Sequence, residues 1–215
     1  MKKQPKNAQF SASKKWFLTL LPLDFNTWFL PLLVSVCSTN SLIAQKFYGV
    51  ELNQNKSIVI NQFIAKGFVI TETLPAYTTL KGKLVNEKVE LVVYQTHTSK
   101  LVRKIVIFYD AEPTWDLAKS AYNRKVELLT SKYGPLTDYA ENFQSPYYEG
   151  DGYELQALSM QKATWMSVWA NIENHPNLTL AVELIGSGIP MITYEINSNV
   201  AKHKEELHKA QENAY

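Results

Sequence analysis

Four histidines, one cysteine and a scatter of carboxylates are the side chains from which this 215-residue chain could build a reactive centre. No G-x-S-x-G elbow, no H-E-x-x-H pair and no glycine loop for phosphates occurs in it. His97 falls in a turn after a strand pattern, and His175 in a loop before Pro176. His203 and His208 lie five apart, off the i, i+4 spacing of a helical metal pair. The only cysteine is Cys37, so residues 46–215 offer no thiolate and no disulfide. A hydrolase built here would need a dispersed site, with Asp110, Asp116, Asp138 and Asp151 brought together by the fold. No metal ligand set and no cofactor motif is expected.

Two stretches suggest binding instead. Residues 147–154 (Tyr-Tyr-Glu-Gly-Asp-Gly-Tyr-Glu) combine acids, glycines and aromatics but lack the alternating Asp/Asn ligands of an EF-hand loop. A hairpin with solvated charges is the plainer reading. The segment 162–172 alternates as a strand, with Ala163, Trp165, Ser167 and Trp169 on one face and Thr164, Met166, Val168 and Ala170 on the other. Trp is the residue most enriched at interface hot spots. Trp165 and Trp169 could thus form a docking platform for a protein or a glycan, extended by Tyr94 and Tyr109 if their strands join the same sheet. The same pattern also allows both indoles to lie in the core beneath a helix.

The elements that must position these residues follow from periodicity. A short helix is expected from Asn55 or Ser57 to Lys66, with Ile58, Val59 and Phe63 inward and Gly67 closing it. Residues 68–73, 79–85, 88–96 and 101–110 read as meander strands, the last β-branched and aromatic. The best helix spans 113–133, where Trp115, Ala118, Tyr122, Val126, Leu129 and Tyr133 make one apolar stripe. Lys119, Asn123, Arg124, Lys125 and Glu127 fill most of its other sides, and Gly134-Pro135 stops it. After a loose stretch, residues 153–160, 162–172, 178–185 and 189–196 read as strands, and 198–214 as a polar closing helix.

The order is therefore a helix and four strands, repeated, in two units (46–134 and 135–215) that together make one domain. The expected fold class is α+β: an antiparallel meander sheet of two helix-plus-four-strand units, helices packed on one face. The runs Phe63-Ile64-Ala65-Lys66-Gly67-Phe68, Leu80-Lys81-Gly82-Lys83-Leu84 and Lys132-Tyr133-Gly134-Pro135 resemble those of a group of small uncharacterised exported bacterial proteins, over roughly residues 48–200. The element order also resembles the tandem plan of β-lactamase-inhibitor proteins and of small outer-membrane assembly lipoproteins. That resemblance implies binding of other proteins across a sheet face, without catalysis. The paired cysteines of the inhibitors are lacking here.

Residues 1–45 read as an export leader. Five lysines precede an apolar stretch over 16–36, and Ser41-Leu42-Ile43-Ala44 offers a cleavage point after Ala44. Asp24 inside that stretch, at a cost of about 2.5 to 3.5 kcal/mol mid-membrane, makes it a poor permanent span. Cys37, preceded by Val36, is the alternative point of lipid anchorage, and the leader is the only part expected to touch a membrane. The leader holds five of the 22 basic residues and one of the 20 acids, so the remainder carries 17 against 19. That balance supplies no steering towards nucleic acid. An exported module of the bacterial envelope, periplasmic or at the cell surface, is expected, with another envelope protein or a glycan as partner. A dispersed hydrolase and a structural homo-oligomer are the alternatives.

Overall fold

Caps and turns place the helices much as the sequence suggests. The computed structural model describes residues 46–213; the leader expected over 1–45 lies outside the described residues. Strands Lys46–Phe47 (β1) and Val50–Glu51 (β2) form a small hairpin. Helix α1, Lys56–Ala65, is capped by Asn55, whose side chain accepts from the Ser57 N–H at 3.1 Å. Gly67, at φ 91°, turns the chain out of it, a geometry glycine adopts without a Cβ clash. Its buried residues are Val59, Ile60 and Phe63; Ile58 is exposed, because it lies on the side of the helix turned away from that cluster.

The strands Val69–Thr73 (β3), Tyr77–Leu84 (β4), Glu87–Gln95 (β5) and Val102–Tyr109 (β6) make the first antiparallel meander. Helix α2, Trp115–Tyr133, starts at Thr114, whose hydroxyl accepts from the Leu117 N–H at 3.4 Å, and stops at Gly134. The second meander comprises Asp138–Phe143 (β7), Ala163–Trp169 (β8), Leu178–Ile185 (β9) and Ile189–Ile196 (β10). A short helix α3, Glu154–Ser159, interrupts it, and α4, Asn197–Glu212, closes the chain.

Two elements depart from expectation, both in the second unit. Residues 153–160 form α3 where a strand was expected; Glu154, Ala157 and Leu158 are its buried residues, a spacing of three and four that a helix gathers on one side. The vacant strand position goes to β7 in the stretch read as loose. Its sequence Asp-Tyr-Ala-Glu-Asn-Phe is half-buried at best and carries no apolar alternation. It is a strand because β8 offers a ladder to pair with, a tertiary effect stronger than local preference.

The eight strands form one antiparallel sheet in the order β3-β4-β5-β6-β10-β9-β8-β7. Each meander runs outward to inward, and the two join through their last strands, β6 against β10. The fold class is therefore α+β with an antiparallel sheet. Helices α1, α2 and α3 pack on one face: Phe47 beside α1 meets Tyr194 at 4.8 Å, and Tyr122 on α2 shares a 2.7 Å hydrogen bond with Ser167. Leu80, Leu91, Ile105, Ile107, Leu180 and Val182 are fully buried beneath them.

Helix α4 crosses the β5–β6 turn and is held at few points. The Glu206 carboxylate accepts from the N–H groups of Thr98 (2.6 Å) and Ser99 (3.2 Å), and Asn199 donates to the Val102 carbonyl at 2.7 Å. His203 lies half-buried between them, its Nδ1 without a partner among the described residues. Burial, then Arg103, lowers the His203 pKa; burial opposes the shift at Glu206, but the Thr98 and Ser99 donors hold its carboxyl below the usual range. Both groups are held in the form that acid removes, so docking is strongest near neutrality. It weakens first as pH falls below the ordinary histidine value of about 6.5, then below that of a carboxylate, about 4.3. His97, Arg103 and Lys202 surround the pair and add repulsion once His203 is charged. Hydrogen exchange, corrected for intrinsic rates, should show α4 amides losing protection on acidification while β5 and β6 amides keep theirs; unchanged α4 protection refutes this pH dependence of its docking.

Candidate binding face

Strand alternation assigns each side chain to one face, and the ladder register lets rows be followed across the sheet. On the face away from α1, α2 and α3, Thr79, Val92, Val106, Thr193, Ala181 and Val168 form a continuous row from β4 to β8. All six are small or β-branched. Taller rows flank it: Lys81, Glu90, Phe108, Met191, Glu183 and Met166 on one side, and Tyr77, Tyr94, Lys104, Glu195 and Thr179 on the other. A low row between two high ones is a trough running across the strands. Thr79, Val92, Val106 and Thr193 are buried on its floor, sheltered by these neighbours.

One hollow opens in this trough and another lies beyond its Phe108 row. The first, of about 480 Å³, is lined by Tyr94, Arg103, Lys104, Val106, Phe108, Glu183, Met191 and Thr193. The other, of about 500 Å³, lies among Lys81, Lys88, Glu90, Tyr109, Asp110 and Ile189, with Phe108 as the common wall. The Tyr77 and Tyr94 rings stand 5.5 Å apart, and the Arg103 guanidinium lies 5.4 Å above the Tyr94 ring while its Nε donates to the Gln95 carbonyl. A register shift between Tyr94 and Gln95 lets Arg103 reach over. Lys104 pairs with Glu195 at 3.3 Å and Lys81 with Glu90 at 3.2 Å. Burial raises the Glu183 carboxyl above its usual range, with Lys104 opposing.

Of the four residues expected to form an aromatic platform, only Tyr94 stands on this face. Trp165 and Trp169 are 4 % and 0 % exposed, on the helix side of β8, so they make no exposed platform. The reason is the α2 stripe, which takes apolar partners from residues 163, 165 and 169 and a hydroxyl partner for Tyr122 from Ser167. Trp115 meets Trp165 edge-on at 4.8 Å, Phe143 closes the cluster at 5.4 Å, and the Trp169 indole donates to the Gly134 carbonyl at 3.0 Å. Tyr109 also lies on the helix side, where it sits under Lys125 at 3.6 Å. Lys125 itself, read as a solvated residue of α2, is buried, with Glu87 at 3.3 Å. Burial lowers its pKa and Glu87 partly restores it.

The other candidates scatter. Asp110, Asp116 and Asp138 are exposed in three separate places, the β6–α2 connection, α2 and β7. Asp151 accepts from the Tyr148 and Tyr153 N–H groups at 3.0 and 2.7 Å, and Glu154 from Gly150 at 2.7 Å, so these acids hold their own loop in shape. Among the described residues no three His, Cys, Asp or Glu side chains are grouped to hold a metal ion. His97 and His208 are exposed; His175 packs edge-on to Tyr133 at 5.5 Å, beside a hollow at the end of α2. Tyr77, Arg103, Phe108 and Met191 were missed as site residues. The alternation of 88–94 and 164–170 had already separated the two faces correctly; the covered face is decided by α2. Comparison of this chain with protein-family models, with curated proteins and with solved structures found no match.

Proposed function

We propose that this chain is an exported, non-catalytic module of the bacterial envelope that binds another polypeptide across its open sheet face. One observation carries the reading: α1, α2 and α3 all pack on one side of the sheet, leaving the trough with its apolar floor and charged margins uncovered by any of them. An apolar centre inside a polar rim is the anatomy of a protein interface. Tyr94 with Arg103, both residue types enriched at hot spots, stands at its margin. The tandem order resembles the plan of inhibitor and assembly proteins that bind partners across a sheet, which supports the same reading as an analogy of fold. The basic, then apolar, then small-residue order of residues 1–45 supports export.

A photoreactive phenylalanine analogue tests the reading. Placed at Phe108 it should yield adducts in cells, whereas placed at Leu128, 61 % exposed on the outer side of α2, it should yield none. Equal labelling from both positions, or none from Phe108, would sink the binding-face reading.

A further inference from the structure

The sheet ends at two outer strands, β3 and β7, and no strand lies beyond either among the described residues. Every side chain of β3 is exposed, and four of its five residues are β-branched, the types that favour a paired strand. Val69 looks to the open face and Ile70 to the covered one, as their partners Lys81 and Leu80 do; Leu74 follows, and all three apolar residues stand exposed. Helix α1 borders this edge on the covered face. Its Lys56 Nζ donates to the Leu74 carbonyl at 3.4 Å, and Ile60 and Ile64 follow Lys56 at four-residue steps along the same side, with Ile64 exposed. An apolar face can take many partners. The outer N–H and C=O groups of an edge strand are completed by one chemistry, the backbone of another extended chain.

Charge narrows the occupant. Lys81 pairs opposite Val69, and continuing that register sets Lys83 opposite Gly67, on the open face. Lys56 stands at the other end, on the covered face beside Leu74. Neither Lys56 nor Lys83 forms a salt bridge among the described residues. An ammonium thus marks each end of the edge, about 20 Å apart once the bulge at Thr71 has taken up one residue. Antiparallel pairing with β3 of a second copy would bring lysine to lysine at both ends. Strand β7 of a second copy carries acids, Asp138 and Glu141, but only about 10 Å apart. Lysines, a bulge and a short length protect an edge from pairing with its own kind. The same lysines attract a strand whose ends are acidic. We propose that β3 takes, as a ninth strand, an extended segment of a different polypeptide that alternates apolar residues and carries a carboxylate near each end. This site is separate from the open face and stands or falls independently of it.

A dye-labelled, capped peptide Asp-Thr-Val-Thr-Val-Thr-Val-Asp, titrated into the purified protein by fluorescence anisotropy, tests this. It should bind, more weakly as salt is added, and β3 amides should gain protection from hydrogen exchange while β7 amides do not. Methylating one alternate set of peptide nitrogens should abolish binding and methylating the other should not, the signature of a one-sided ladder. Exchanging both aspartates for lysine should weaken binding at least about tenfold. Lys83→Glu should weaken the aspartate peptide and strengthen the lysine one. Val69→Lys with Ile70→Lys, both at exposed positions, should weaken either, and circular dichroism checks that each variant is folded. Absence of binding, protection that misses β3, or indifference to methylation overturns the proposal. A protein that self-associates without peptide, and loses β3 protection on dilution, assigns the edge to a second copy and overturns the choice of a different polypeptide.

Discussion

Replacing Trp165 and Trp169 together with alanine should leave a chain that no longer unfolds cooperatively. Trp169 is fully buried and Trp165 nearly so. Truncating one large buried aromatic costs about 3 to 5 kcal/mol, against a total stability of about 5 to 15 kcal/mol for a typical domain. Loss of Trp169 also leaves the Gly134 carbonyl without its indole donor, at the point where α2 ends and the second meander begins. Loss of Trp165 opens the cluster it shares with Trp115 and Phe143. The control is Tyr94→Ala on the open face, which gives up a half-exposed ring and its neighbours Tyr77 and Arg103. Such a cross-strand contact is worth about 0.2 to 1 kcal/mol. Denaturant titration followed by circular dichroism separates the two. A double tryptophan variant with a transition within about 1 kcal/mol of the parent would contradict the core placement.

Period and caps were legible because each depends on a few consecutive residues. The stripe from Trp115 to Tyr133 fixed α2 to within two residues, and the alternation of 88–94 and 162–170 gave the two faces of β5 and β8. Face choice was not legible in the same way. Whether Trp165 meets solvent or helix depends on α2, some forty residues earlier in the chain, and one strand cannot report it. The same distance hid Lys125. Its place in the helical wheel looked solvated, yet Tyr109 and Glu87, both from the first unit, fold over it and make an apolar stem with a paired charge acceptable. β7 was invisible for a third reason. Its pairing energy belongs to the ladder with β8, and Asp138 to Phe143 offer little of their own. The candidate trough was half written in the sequence, since its floor residues stand at alternate positions. Joining them into a row needed the β6–β10 seam, a contact between Val106 and Thr193 across almost ninety residues.

Gly82→Ala should destabilise the first unit more than any other single methyl added to the sheet. Gly82 lies inside the stretch 79–85 that reads as a strand, and it stands within β4, paired with Val89. A glycine in a strand interior marks close approach by another group, and that group is Phe68. A Cβ built at Gly82 would fall 2.5 to 2.7 Å from three carbons of the Phe68 ring. The ring has nowhere to retreat: it is 2 % exposed and meets Phe63 of α1 edge-on at 5.5 Å. Overpacking of this kind costs about 1 to 3 kcal/mol and sometimes more. The expected outcome is a lower denaturation midpoint with an unchanged slope. Phe68→Leu alone should also destabilise, by removing ring contacts, but combined with Gly82→Ala it should cost less than the two single changes summed. A double-mutant cycle reads that coupling directly. Simple additivity would mean that the methyl and the ring do not compete for the same space, and the close packing of α1 on β4 would have to be redrawn.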